Sequence, residues 1–310
     1  ALAFGGDADR CIGVDERGEI VPPSAVTAMS AEAEIARSML DGRSRPVVIG
    51  NAVSSRAVRE VVEASGGEFV RTKVGHSIIK QEMADRDAVF GGEHSAHYYF
   101  REFFFADSGM LAALHVLGAL ERSGAQSLSS LLERYSPYAA TGERTSRVDE
   151  PVNEILERVA RVFVERGARR DDLDGVTLTH WDEAADPREQ WWLSVRPSGT
   201  EPLVRLNVEA AEEATMQHLR DFALALVRGE AEVLGEVAPH GEDEKERDMS
   251  PDEQNLEGMD WVGSLARCPE CHASLDLGKE LIVCESCGRR YDREGGIPML
   301  MSRDGSSIRD

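Results

Sequence analysis

The chain has 310 residues, 41% hydrophobic and 30% charged, with a formal net charge of −22. That length calls for more than one core, and the composition is that of a soluble globular protein. The acidic balance argues against gripping nucleic acid or an anionic membrane through the bulk field, so a bound phosphate has to be held by a locally basic pocket, and no stretch reaches the roughly 18 consecutive apolar residues of a membrane span.

Ala1-Leu2-Ala3-Phe4 reads as the tail of a buried strand that begins before residue 1; with no secretory leader in view, the expectation is a cytoplasmic protein with a cut N-terminus. Phe4-Gly5-Gly6-Asp7-Ala8-Asp9-Arg10 follows as a strand end with two alternating carboxylates and an arginine. Hard oxygen ligands in a glycine-rich loop suit Mg²⁺, and Arg10 could touch a phosphate sharing its shell; a solvated Asp-rich turn is the competing reading. Ile12, Val14, Ile20 and Val21, broken by Asp15-Glu16-Arg17-Gly18, read as a hairpin. The pattern then gives a helix over 27–40 stopped by Asp41-Gly42, a buried strand over 46–50, a helix over 56–64 ended by Gly66-Gly67, and a strand over 68–70. This strand–helix–strand rhythm is that of a parallel sheet.

Lys73-Val74-Gly75-His76 sits just past the second strand, where ligand loops of α/β sheets lie. A third strand over 87–90 delivers Gly91-Gly92-Glu93-His94-Ser95-Ala96-His97, a dense polar run in which Glu93 and Ser95 can take two neighbouring sugar hydroxyls. A zinc site on His94 and His97 is the competing reading, without a third clustered ligand. The aromatic run 98–105 reads as core, and Asp107-Ser108 caps a helix over 109–122. Ser136-Pro137-Tyr138 opens the next segment, with a helical period through Val152, Ile155, Leu156, Val159 and Phe163, a strand over 176–179, and a last helix over 214–228. Between these lies Arg196-Pro197-Ser198-Gly199-Thr200-Glu201-Pro202, a polar turn between the apolar runs 191–195 and 203–208. Arginine supplies a planar fork for phosphate oxygens, Ser198 and Thr200 supply hydroxyls, and Gly199 lets backbone N–H groups approach an anion; an ordinary hairpin turn competes with this phosphate clamp.

In order, the loops 4–10, 73–76, 92–97 and 196–202 resemble those of the α-D-phosphohexomutases, over about residues 1–230. The Gly-Glu-x-Ser form favours the phosphoglucomutase/phosphomannomutase branch. The resemblance implies α/β mutase domains followed by an α+β C-terminal domain: residues 1–42 a remnant of domain 2 with the metal loop, 43–136 domain 3 with the sugar loop, and 137–235 domain 4 with the phosphate loop. It implies an isomerase, an intramolecular phosphotransferase interconverting hexose 1- and 6-phosphates in carbohydrate metabolism. Asp7 and Asp9 would bind Mg²⁺; Arg10, Lys73, His76 and His97 would line the catalytic cleft. Glu93 and Ser95 would hold sugar hydroxyls, and Arg196, Ser198, Gly199 and Thr200 the phosphate not being transferred. Two departures stand out. The first aspartate of the family's metal loop falls on Gly5, and the phosphoserine loop, with the domain that carries it, is absent, so this fragment alone is expected to be inactive.

Residues 236–261 turn acidic and polar and read as a flexible linker. Beyond it, four of the five cysteines form Cys268-Pro-Glu-Cys271 and Cys284-Glu-Ser-Cys287, two knuckles that can complete the tetrahedral shell of a structural Zn²⁺, with a β-hairpin expected between them. A redox pair or two disulfides compete with this reading. Cys11 reads as a small buried residue. The run from the first knuckle through Tyr291 and Gly296-Ile297-Pro298-Met299-Leu300 resembles the Trm112-like zinc ribbons, over about residues 262–305, which implies a protein partner. The alternative to an enzyme is a non-catalytic pseudo-mutase acting through that ribbon as a protein-binding or stabilising module.

Overall fold

Leu2–Phe4 forms β1, which pairs antiparallel with β2, Cys11–Gly13, around the turn that carries Asp7 and Asp9. In this computed structural model the described residues are 1–182, 184–198, 202–229, 282–284, 286–291, 293–294 and 297–298. The chain divides into two units, Ala1–Val237 and Ala238–Asp310. Contrary to expectation, β1 is not buried: Phe4 is 45% exposed, and among the described residues β1 pairs only with β2, in a two-stranded sheet. The hairpin after β2 closes through a Val14–Ile20 bridge, with Asp15 Oδ1 accepting the backbone N–H groups of Arg17 and Glu19.

Helix α1, Pro23–Leu40, starts earlier than its apolar period indicates, because Pro23 sits in its first turn, where a missing N–H costs nothing. It is followed by β3 (Val47–Asn51), α2 (Arg56–Ala64), β4 (Glu68–Thr72), α3 (His76–Arg86), β5 (Phe90–Gly92), β6 (Tyr98–Phe100), β7 (Ala106–Asp107), α4 (Gly109–Ser123) and α5 (Leu128–Leu132). Ser55 and Ser108 cap α2 and α4 through their side chains. The first sheet runs β4-β3-β5-β6-β7. β3 is parallel to β4 and β5, and β6 and β7 add antiparallel strands, so the sheet is mixed rather than wholly parallel. Ile49, Ile79, Met83, Ala88 and Tyr99 form one buried cluster of this layer.

Two sequence expectations shift here, and one helix has no counterpart in the sequence reading. Helix α3 shows no clean apolar stripe in sequence, yet it forms and buries Ile79 and Met83. The strand expected over 87–90 begins only at Phe90, because Asp87 is the left-handed cap of α3 (φ 50°). In the aromatic run, Tyr98, Tyr99 and Phe100 are core, but Phe103 and Phe104 are exposed, since the chain leaves the sheet in a short 3-10 turn there.

The second sheet is built from β8 (Ala139–Arg147), β9 (Arg169–Asp171), β10 (Val176–His180), β11 (Trp191–Pro197) and β12 (Leu203–Ala210), in the order β8-β12-β11-β10-β9 and antiparallel throughout. Helices α6 (Val152–Glu165) and α7 (Glu213–Val227) pack on it through Ile155, Val159, Phe163, Phe222 and Leu226. The amphipathic spacing of α6 puts Ile155, Val159 and Phe163 on one face. Among the described residues, no helix is long and apolar enough to cross a membrane.

Candidate active site

The turn between β1 and β2 is held by Ala8 N–H donating to Gly5 O (2.9 Å) and Gly5 N–H to Arg10 O (3.3 Å). A second segment fastens it from outside: Gly109 N–H, at the start of α4, donates to Ala8 O at 2.9 Å, and a Cβ at Gly109 would lie 2.4 Å from Arg10 O. Only glycine permits that approach. The neighbouring hairpin joins through an Arg10–His97 bridge and Cys11 N–H donating to Ala96 O.

His97 therefore stands over the aspartate loop. Its Nε2 lies 3.1 Å from Asp9 Oδ2 and its Nδ1 2.9 Å from Ser95 Oγ. A carboxylate can only accept, so the neutral imidazole carries its proton on Nε2, and Nδ1 accepts from the Ser95 hydroxyl. Ser95, itself exposed, keeps its oxygen lone pairs free to accept a hydrogen bond from outside the protein. Burial pushes the Asp9 carboxyl up, but the hydrogen bond shared with Asp7, together with His97 and Arg10, carries it below its ordinary range. Asp9, His97 and Asp107 offer ligand atoms all within 4.8 Å of one another, and Asp107 also pairs with Lys80 at 2.7 Å.

A side chain at position 5 would enter this same space. A Cβ on Gly5 would lie 2.8 Å from Asp9 Oδ1 and 3.4 Å from Asp7 Oδ1. The carboxylates of Asp7 and Asp9 suit a hard divalent cation, which they would hold with one loop ligand fewer than a three-carboxylate loop supplies.

Glu93 is 3% exposed and faces inward. Its Oε1 accepts from Asn51 Nδ2 (3.2 Å) and Gly75 N–H (3.3 Å), and its Oε2 accepts from Tyr99 OH (2.6 Å). Burial and the Glu93 charge push the Tyr99 hydroxyl far above its ordinary range, so it stays a donor. Glu93 thus ties the 73–76 loop to the sugar loop. Lys73 and His76 are on that loop and exposed.

In the second sheet Arg196 ends β11 with its side chain only 9% exposed, and Ser198 N–H closes the turn on Leu203 O at 2.8 Å. Arg196 Nη2 donates to Glu143 Oε2, while its Nε, together with Ser198 Oγ, is buried without a hydrogen-bond partner among the described residues. Gly199 and Thr200 lie outside the described residues. The 92–97 loop meets this corner through His94: its Nδ1 is buried and unpartnered among the described residues, and burial holds its imidazole below the ordinary range, with Glu143 raising and Arg196 lowering it. His97 clusters with Asp9 and Asp107, not with His94, so the two imidazoles do not form the competing zinc pair.

Sequence reasoning missed what holds the two sheets together. Glu209 is 2% exposed; its Oε1 accepts Trp192 Nε1–H (2.7 Å) and the Arg56 backbone N–H (2.8 Å). Val53, Trp181 and Trp192 pack beside it, and Arg56 lies 4.8 Å over the Trp181 ring. Glu209 follows Arg205 and Asn207 at the polar positions of the β12 alternation, so nothing in the sequence signals that it is buried.

Two family models match: phosphoglucomutase/phosphomannomutase alpha/beta/alpha domain III over residues 23–138, and the C-terminal domain of the same family over 144–226. These two domains belong to the phosphoglucomutase/phosphomannomutase family. A phosphomannomutase of Methanocaldococcus jannaschii is 35% identical over 216 residues, covering 70% of this chain and 44% of that protein. One of Salmonella typhimurium is 37% identical over 226 residues, covering 72% and 46%. A solved phosphoglucomutase/phosphomannomutase family protein from Burkholderia thailandensis superposes with a TM-score of 0.60 at 25% identity, covering 73% and 46%. The chain thus spans about half the length of the curated relatives it matches.

In the C-terminal unit, β13 (Ile282–Val283) pairs antiparallel with β14 (Arg290–Tyr291), and Arg293–Glu294 pairs with Ile297–Pro298. The hairpin of β13 and β14 encloses the second knuckle; residues 272–281, where most of the hairpin between the knuckles is expected, lie outside the described residues. Cys284 N–H donates to Arg289 O (2.8 Å) and Gly288 N–H to Cys284 O (2.7 Å), with Cys284 buried and Cys287 exposed. Cys268, Cys271 and the linker lie outside the described residues. Cys11 is buried as expected, and burial pushes its thiol up to about 11.

Proposed function

We propose that this chain is the sugar- and phosphate-binding half of a hexose-phosphate mutase, an intramolecular phosphotransferase interconverting hexose 1- and 6-phosphates. The observation that carries the reading is the corner where Arg196 Nε and Ser198 Oγ are buried without a partner among the described residues. Buried donors without acceptors are costly, and an oxyanion satisfies several at once. Arg196, Ser198, Gly199 and Thr200 would anchor the phosphate that stays on the sugar. Ser95, polarised by His97, and the remaining lone pair of Glu93 Oε2 would take the hydroxyls. Asp7 and Asp9 would hold Mg²⁺, which supplies electrostatic stabilisation of a transferring phosphoryl group. Arg10, Lys73, His76 and His97 would line the cleft. In this reading residues 1–42 carry the metal loop, 43–136 the sugar loop and 137–235 the phosphate loop, and the phosphoryl donor is supplied outside them in a cytoplasmic enzyme. Residues 236–261 are then a linker, and 262–305 a Trm112-like ribbon whose Cys268, Cys271, Cys284 and Cys287 hold Zn²⁺ and which serves a protein partner. Support for the ribbon is the turn that sets Cys284 and Cys287 together.

The test is calorimetric titration of the chain with mannose 6-phosphate, glucose 1-phosphate and unphosphorylated mannose. Saturable binding of the phosphates alone, abolished by Arg196→Ala, is expected. Equal binding by the free sugar, or by the Arg196→Ala variant, overturns the reading.

A further inference from the structure

Arg196 on β11 and Arg205 on β12 stand directly opposite each other in the antiparallel register. Like charges in that relation repel. Glu143 lies on the next strand, β8, opposite Asn207, two residues along from Arg205 and on the same face. Its carboxylate reaches across β12 and joins both guanidiniums: Oε1 accepts from Arg205 Nη1 at 2.7 Å and Oε2 from Arg196 Nη2. The Nε atoms of both arginines are buried and, among the described residues, unpartnered. On its other side Arg196 is walled by Gly175, where a Cβ would lie 2.7 Å from the Arg196 Cα.

We propose that Glu143 is the positioning residue of the phosphate clamp: it grips one edge of the Arg196 fork, together with Arg205, so that the other edge is presented to the sugar-borne phosphate. The proposal rests on the phosphate reading of Arg196 given above. A carboxylate beside an anion site is at first sight misplaced. By Coulomb's law alone its removal would tighten phosphate binding. Its value lies in geometry: a long, four-torsion side chain opposite a like charge has many rotamers, and a bridging carboxylate leaves it one, so the ordering is done before the ligand arrives. The half-buried imidazole of His94, unpartnered at Nδ1, closes the same corner from the sugar loop.

The sign of the effect decides the matter. The 310-residue chain is titrated with mannose 6-phosphate and with inorganic phosphate, as wild type, Glu143→Gln, Arg196→Lys and the double variant. Glu143→Gln keeps the shape and removes the charge; affinity is expected to fall about tenfold. In the Arg196→Lys background, whose ammonium has no fork to orient, Glu143→Gln is expected to change affinity less than about twofold. A purely structural role would cost the same in both backgrounds, and that result overturns the proposal. Unchanged or tighter binding by Glu143→Gln also overturns it, and leaves the site reading standing if Arg196→Ala still abolishes binding. A wild-type chain that binds neither probe sinks both.

Discussion

The Glu209 carboxylate on β12 accepts the backbone N–H of Arg56 at the start of α2, so one buried oxygen fastens the phosphate-loop sheet to the sheet that carries the sugar loop. Trp192 donates to the same oxygen. Glu209→Ala strands both donors in a buried place and is expected to cost about 1–3 kcal/mol in denaturant unfolding, with a change in Trp fluorescence. Unaltered stability would show that the contact contributes nothing.

The same residue predicts a pH dependence. Burial raises the Glu209 carboxyl above its ordinary range, and its hydrogen bonds from Ser55, Arg56 and Trp192 only partly offset this. A carboxyl raised in the folded state binds its proton more tightly there than in the unfolded chain, so protonation stabilises, and that contribution is lost as pH rises through the folded value. Relative to Glu209→Gln, which has no proton to gain, the wild type is expected to gain stability as pH falls from 7 towards 4.5. Parallel stability curves for the two proteins across that range would refute it.

Much of this was legible because the elements carry their own punctuation. Ser55 before α2 and Ser108 before α4 are cap residues at helix starts, and both ends of α2 fall where the sequence reading puts them. Strand β8 was not legible: Ala139–Arg147 is polar and half-exposed at the sheet edge, with no alternation to read. Of the site, the loops that bear it could be read as motifs, because each concentrates chemistry in a few residues. The contacts that fix them could not. Glu143 and Arg196 are 53 residues apart, and Glu209 and Arg56 153, distances over which no period or spacing carries information.

Position 5 offers a direct test of the metal loop. A Gly5→Asp side chain would enter between Asp7 and Asp9, meeting only side-chain ends that can swing aside. Three crowded carboxylates repel, so the melting temperature without divalent cation is expected to fall below wild type. Added Mg²⁺ is expected to raise it more steeply than in wild type, because the extra oxygen ligand strengthens binding to the folded state alone. Identical Mg²⁺ dependence in both proteins would place the cation elsewhere.

The zinc proposal is checked by metal analysis of protein purified without added metal. About one zinc per chain is expected, lost on treatment with a chelator and in Cys284→Ser. Cys284 is the one to replace first, because it is the buried member of the described knuckle. Zinc-free protein after gentle purification, with its thiols still reactive, would exclude the site.

Gly109→Ala sets two effects of opposite sign against each other. In an exposed helix alanine is favoured over glycine by about 1 kcal/mol. Here the added Cβ would lie 2.4 Å from the Arg10 carbonyl oxygen and 2.9 Å from that of Ala8, backbone atoms with no rotamer to escape into. The aspartate loop would have to move away from α4, weakening the Gly109 N–H to Ala8 O bond and shifting Asp9 from His97. A net loss of about 1–3 kcal/mol is expected, together with weaker Mg²⁺ stabilisation. Stabilisation by the substitution would mean that α4 and the loop do not meet this closely in solution.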